Sequence, residues 1–178
     1  MDAAAFVALF RHHAWATDRL FAVCEPLAEP QLAIAPPGTY GPIGQTLKHL
    51  VESEERYVAF VRSAGGPGVG GPDVGGYGRP TPPEGLEPSI RVLRRRAAAS
   101  NAALVELAGS LGTDAVVRGP FRGEERAVRA LTILVQALDH GAEHRTHVRA
   151  GLTMIGLDVP ELDGWTWDEE ALGPVAGA

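Results

Sequence analysis

Three histidines in one stretch of the chain, His140, His144 and His147, stand at i, i+4 and i+7, and on a helix they share one side. Side chains four apart rise one turn above each other, so two imidazoles there can reach a single ion. Imidazole at that spacing holds Zn²⁺ and similar divalent metals. A third ligand has to come from another helix, and His49 offers it. At about 100° per residue His49 falls on the line of Thr46, Ser53 and Phe60, at the flank of an apolar face. Helices of a bundle meet their neighbours along such flanks. A partly desolvated imidazole there needs a polar partner, and a shared metal satisfies both helices at once. His147, one turn beyond His144, is the rival ligand.

Four helical segments would position these groups. The first runs from about Asp2 to about Leu27, with Phe6, Leu9, Phe10, His13, Leu20 and Phe21 at helical spacing. The second runs from about Pro42 to Ser63 and carries Ile43, Leu47, Leu50, Val51, Tyr57, Val58 and Val61 on one broad face. A third, from about Pro88 to Leu111, shows the cleanest stripe, Ile90, Leu93, Ala97, Leu104, Leu107 and Leu111. The fourth, from about Glu124 to Gly156, opens with two acids suited to a helix N-terminus. Its stretch ALTILVQAL is apolar nearly all round, so the helix should lie deep in the core. No strand is expected. The fold class is all-α, a four-helix bundle.

Between the second and third helices, 13 of the twenty residues from 64 to 83 are Gly or Pro. Such a stretch holds neither a helix nor a central strand, so residues 64–87 are expected to form one long flexible connection. Residues 157–178 are expected to be a C-terminal extension, and residues 1–178 one domain. At 178 residues the chain can bury roughly 70% of its unfolded surface. A net charge of −6 and the absence of a basic stripe argue against a nucleic-acid partner. No apolar run reaches the roughly 18 residues of a membrane helix. The single cysteine, Cys24, and an N-terminus unlike a signal peptide point to a reducing, cytoplasmic setting.

Four stretches carry a family resemblance. HHAWATDRL (His12–Leu20) is similar to an opening Y-N-x-W-A-x-x-R-L, with His12 and His13 in place of Tyr and Asn. GPIGQTLKHLVESEERYV resembles a second helix with a Thr-Leu-x-His-Leu core, and DHGAEHRTHVRAGLTMIGLDVPELDGW resembles an H-x-x-x-H-R segment with a trailing L-D-G-W. Together they resemble the DinB/YfiT-like metalloproteins, which include thiol-dependent transferases and an isomerase. The resemblance implies an up-and-down bundle, a homodimer, and a site of His49, His140 and His144 for nickel or zinc. Where relatives carry a second histidine before the last ligand, this chain has Glu143. His13, Ser53 and His147 are then expected to line the cavity or to support the ligands.

Three neutral imidazoles leave a divalent metal with open positions, as in catalytic sites. The metal could lower the pKa of bound water for hydrolysis, or hold a low-molecular-weight thiol as thiolate for attack on an electrophile. The resemblance favours the thiol and a small-molecule electrophile. Hydrolysis, or a stress-associated metal protein without a reaction, are the alternatives. Arg145 should pair with an acid. Asp139 and Glu143 point to other sides of their helix, so partners for the ligand rings are expected from another helix. Cys24 should be a small buried residue, Arg94–Arg96 a solvated face, and Trp165 and Trp167 part of a packed tail.

Overall fold

Each long helix carries an apolar stripe that is interrupted near its middle by polar residues, and the architecture follows from lining up those interruptions. The computed structural model describes residues 3–63, 88–112, 115–121 and 124–173. Helices α1 (Ala3–Cys24), α2 (Glu29–Leu32), α3 (Ile43–Ser63) and α4 (Ile90–Ser110) are followed by strands β1 (Val116–Phe121) and β2 (Glu124–Arg129). Then come α5 (Ala130–Met154), α6 (Gly164–Trp167) and one π-helical turn, Asp168–Leu172. The chain is mostly helical, as expected. Helix α1 packs on α4, and α3 packs between α4 and α5. The Gly/Pro-rich stretch 64–87 lies outside the described residues.

The apolar core has two parts. One gathers Ala16, Leu20, Phe21, Ile43, Leu47, Val51, Leu93, Val148 and Leu152. The other gathers Phe10, Val58, Val61, Leu104, Leu107, Ile133, Leu134 and Ala137. Along every long helix a pair of buried polar residues falls near the middle: His13 and Thr17 on α1, Ser53 and Glu54 on α3, Ser100 and Asn101 on α4, His144 and Arg145 on α5. Buried Thr46, in the first turn of α3, bonds the Pro42 carbonyl. Each buried Leu or Phe contributes about 2 kcal/mol. The helices can therefore slide only by exposing apolar surface or by burying polar groups without partners.

Helix boundaries are set locally. Ser89 caps α4, its hydroxyl accepting from the Val92 N–H. The helix expected to begin near Glu124 begins instead at Ala130, and residues 124–129 are a strand paired antiparallel with β1, from Val116 opposite Arg129 to Phe121 opposite Glu124. The sequence Gly119-Pro120 followed by Gly123 favours chain reversal over helix. Val117 is buried while Val116 and Arg118 are exposed, the two-residue alternation of a half-buried strand. The apolar run of α5 masked this short hairpin. Its ladder ends where the Ala130 N–H donates to the Ala115 carbonyl at 2.8 Å.

Helix α5 comes close to α1 at Gly141, where a Cβ would lie 2.2 Å from Cε1 of His13 and 3.1 Å from Nη1 of Arg145. Only glycine leaves room for that ring. Gly141→Ala gains about 1 kcal/mol in helix propensity, yet it displaces His13 and strands buried polar atoms at about 1–3 kcal/mol each. A net loss of about 2–3 kcal/mol is expected in chemical denaturation. An unchanged midpoint would contradict this packing.

Candidate metal centre

His49 sits on α3, half-buried, while His140 and His144 sit one turn apart on the neighbouring α5. Their Nε2 atoms converge. His140 Nε2 lies 3.1 Å from that of His49 and 3.0 Å from that of His144, and one nitrogen from each ring falls within 4.8 Å of the others. A neutral imidazole Nε2 either donates one proton or accepts one. The His140 atom therefore cannot satisfy both neighbours by hydrogen bonding. A cation at the common point can. Metal–nitrogen bonds of about 2.0–2.1 Å place cis ligand nitrogens about 3.0–3.4 Å apart, so the donor set fits a divalent ion.

The electrostatics favour the ligand form of the rings. Burial pushes the His140 imidazole down from the ordinary 6.5 to about 3, helped by His144, His49, Arg56 and His13 nearby. Burial also lowers His144, with His147 adding to the effect and Glu143 opposing it. Both rings are neutral at pH 7, with lone pairs available to a metal.

Aromatic rings pack against these imidazoles. Tyr40 stacks on His49 with centroids 4.2 Å apart and meets His144 edge-on at 5.1 Å. Tyr57 stands edge-on to His140 at 5.9 Å. Partners from another helix were expected on the outer nitrogens. Instead Nδ1 of both His140 and His144 is buried without a hydrogen-bond partner among the described residues. Asp139 and Glu143 are exposed, in keeping with their expected direction away from the ligand rings.

The remaining candidates divide. His147 sits outside the converging trio and accepts a hydrogen bond on Nδ1 from the Tyr40 backbone N–H at 3.3 Å. It thereby pins the loop that lays Tyr40 over His49. Ser53 is buried and accepts from Arg56 Nη2 at 2.9 Å. His13, 1% exposed, belongs to a separate chain of contacts spanning all four long helices. Arg145 Nη1 donates to His13 Nδ1 at 3.0 Å and to Thr17 Oγ1 at 3.2 Å. That donation leaves the His13 proton on Nε2, which donates to Glu54 Oε1 at 2.8 Å. Ser100 Oγ donates to Glu54 Oε2 at 3.0 Å. The acid expected for Arg145 is thus Glu54, reached through a ring. Burial lowers the guanidinium to about 10, still charged at pH 7, with Glu54 opposing the shift.

Two expectations need correction. Arg94 and Arg96 are not merely solvated: Arg94 pairs with Asp18 and Glu25, and Arg96 with Glu55, tying α4 to α1 and α3. Trp165 is 83% exposed. The tail docks instead through Trp167, edge-on to His12, and through His12 Nε2 donating to the Leu162 carbonyl at 2.9 Å. Tyr40 escaped the sequence reading, and Tyr57 was read only as part of the apolar face of its helix. The signal for Tyr40 was its rigid setting, Pro-Pro-Gly-Thr-Tyr-Gly-Pro, directly before the helix that bears His49.

Metal-free protein should weaken as pH falls. His140 takes up a proton near 6.5 when unfolded and only near 3 when folded, so between those values the unfolded chain binds more protons. Stability is then fully present above about 6.5 and declines toward about 3. The slope is below about 1.4 kcal/mol per pH unit, because the ring is only partly shielded. Denaturation of metal-free wild type and His140→Gln at pH 7.5 and 5 reads the difference. Parallel losses in both proteins would contradict it.

Residues 12–148 match the family model of the DinB superfamily, a span that begins in α1, ends in α5 and contains His49, His140 and His144. No curated protein matches the chain, and no solved structure matches it. No helix among the described residues is long and apolar enough to cross a membrane. The extent of the family match, over these helices and this histidine cluster, means that the chain belongs to the DinB superfamily.

Proposed function

We propose that the protein is a divalent-metal-dependent transferase that activates a low-molecular-weight thiol, with His49, His140 and His144 as the metal ligands. The observation that carries this reading is the convergence of three imidazole nitrogens from two helices. Nickel or zinc suits such a donor set. When bound, the ion supplies Lewis acidity, which holds a thiol in its nucleophilic thiolate form. Three protein ligands leave room for that thiol.

The chain's own thiol does not compete. Cys24 is packed among Leu20, Phe21 and Leu93, and burial raises it to about 12. A thiol nucleophile must therefore come from outside. His147 and Tyr40 shape the entry side, the histidine fixing the loop and the partly exposed tyrosine covering His49 and His144. Trapped between these groups, a small electrophile would meet the thiol with bulk water partly excluded. The reading includes a cytoplasmic homodimer, supported by the single buried cysteine and by the likeness to DinB/YfiT-like proteins.

The test is a conjugation assay on nickel- or zinc-loaded protein with mycothiol, bacillithiol or glutathione and a halogenated aromatic electrophile. The new sulfur–carbon bond replaces a carbon–halogen bond, and halide and the thiol proton leave. Thiol and electrophile should disappear one for one, with at least an about 100-fold loss in His49→Ala or His144→Ala. Ester hydrolysis without thiol would replace this reading with a hydrolase. Metal that only raises the melting temperature would leave a structural ion.

A further inference from the structure

Arg56 is the one partly buried arginine, among the described residues, that no carboxylate holds. Arg19, Arg94, Arg96 and Arg149 each pair with an Asp or Glu. Arg145 reaches Glu54 through His13. Among the described residues Arg56 makes one hydrogen bond, from Nη2 to Ser53 Oγ at 2.9 Å. Its near neighbour Glu54 is turned away, both carboxylate oxygens taken by His13 and Ser100. In a chain of net charge −6 a sheltered guanidinium without an acid is out of keeping with its surroundings.

Its position explains what the charge is for. His49, Ser53 and Arg56 recur at i, i+4 and i+7, so they form one line along α3. The next residue, Tyr57, sets its ring edge-on to His140. Arg56 thus lies about two turns along α3 from the candidate ligand His49, with Ser53, its hydrogen-bond partner, between them. A divalent ion on three neutral imidazoles keeps its full charge, and Arg56 adds another beside it. Such a pair recruits an anion.

We propose that Arg56 is the anion-binding arm of the site, taking the carboxylate of a small organic co-substrate whose other end meets the metal. The planar fork of the guanidinium matches a carboxylate with two parallel hydrogen bonds. Ser53 holds one edge of the fork, so the remaining donors are presented in a fixed direction. This assignment rests on the metal reading above. It narrows the substrate class to carboxylate-bearing molecules.

Cobalt(II)-loaded protein provides the test, because its visible spectrum reports ligands entering the metal. Two matched pairs serve as probes: 3-mercaptopropionate against 3-mercaptopropanol, and imidazole-4-acetate against 4-methylimidazole. The carboxylate member of a pair should bind about 10-fold or more tighter. Arg56→Gln should erase that preference with cobalt content and helical signal unchanged, Arg56→Lys should keep part of it, and Ser53→Ala should reduce it. Equal binding within both pairs, or a preference that survives in Arg56→Gln, would overturn the assignment. If only the imidazole pair binds, with the expected preference, the thiol reading fails and the role of Arg56 stands. Protein that takes up no cobalt overturns both.

Discussion

Glu54 and Arg145 bury opposite charges in the middle of the helical assembly and are joined only through the ring of His13. Removing either partner would leave a charge without compensation, at about 3–5 kcal/mol. The bond from Arg145 fixes the His13 tautomer, and that tautomer lets Nε2 donate to Glu54. Ser100 closes the chain from α4. Because each link comes from a different helix, the network specifies how all four long helices align. The apolar clusters on either side supply the larger share of the stability, but they would tolerate slippage that the polar layer does not.

The histidine cluster inherits its geometry from that alignment. Arg145 follows His144 directly, and Glu54 lies five residues, about one and a half turns, beyond His49, so the charged network and the candidate ligands occupy neighbouring turns of α3 and α5. The position of one set determines that of the other. Gly141 completes the arrangement by letting α5 approach α1 within reach of His13. The outer side of the cluster is built differently, from a proline-rich loop that carries Tyr40 and is tied down by His147. Rigid packing thus sets the ring positions from within, while a half-exposed loop shapes access from outside.

Much of this was legible in the sequence. The long helices followed from their apolar spacing; histidine spacing offered His49 with His140, His144 and the rival His147, and the family resemblance narrowed these to His49, His140 and His144. The beginning of α5 was not legible, because Ala130–Leu138 is apolar enough to extend backwards over residues that pair as a strand. Strand pairing is non-local, and only the Gly and Pro residues near position 120 hinted at it. The stacking of Tyr40 on His49 was hidden too, since a loop tyrosine has no periodicity to read, and Tyr57 was legible only as part of an apolar helix face. The His13 link was missed for a similar reason: a helix position shows which face a side chain shares, but not which charges it joins across the core.

The most direct test of the central claim is metal content by elemental mass spectrometry, on tag-free protein purified without chelator. Close to one nickel or zinc ion per chain is expected in the wild type and in His147→Ala, with loss in His49→Ala and His144→Ala. Wild type that carries no metal after incubation with Ni²⁺ or Zn²⁺ would contradict the account. So would variants that lack a ligand histidine and still retain the ion.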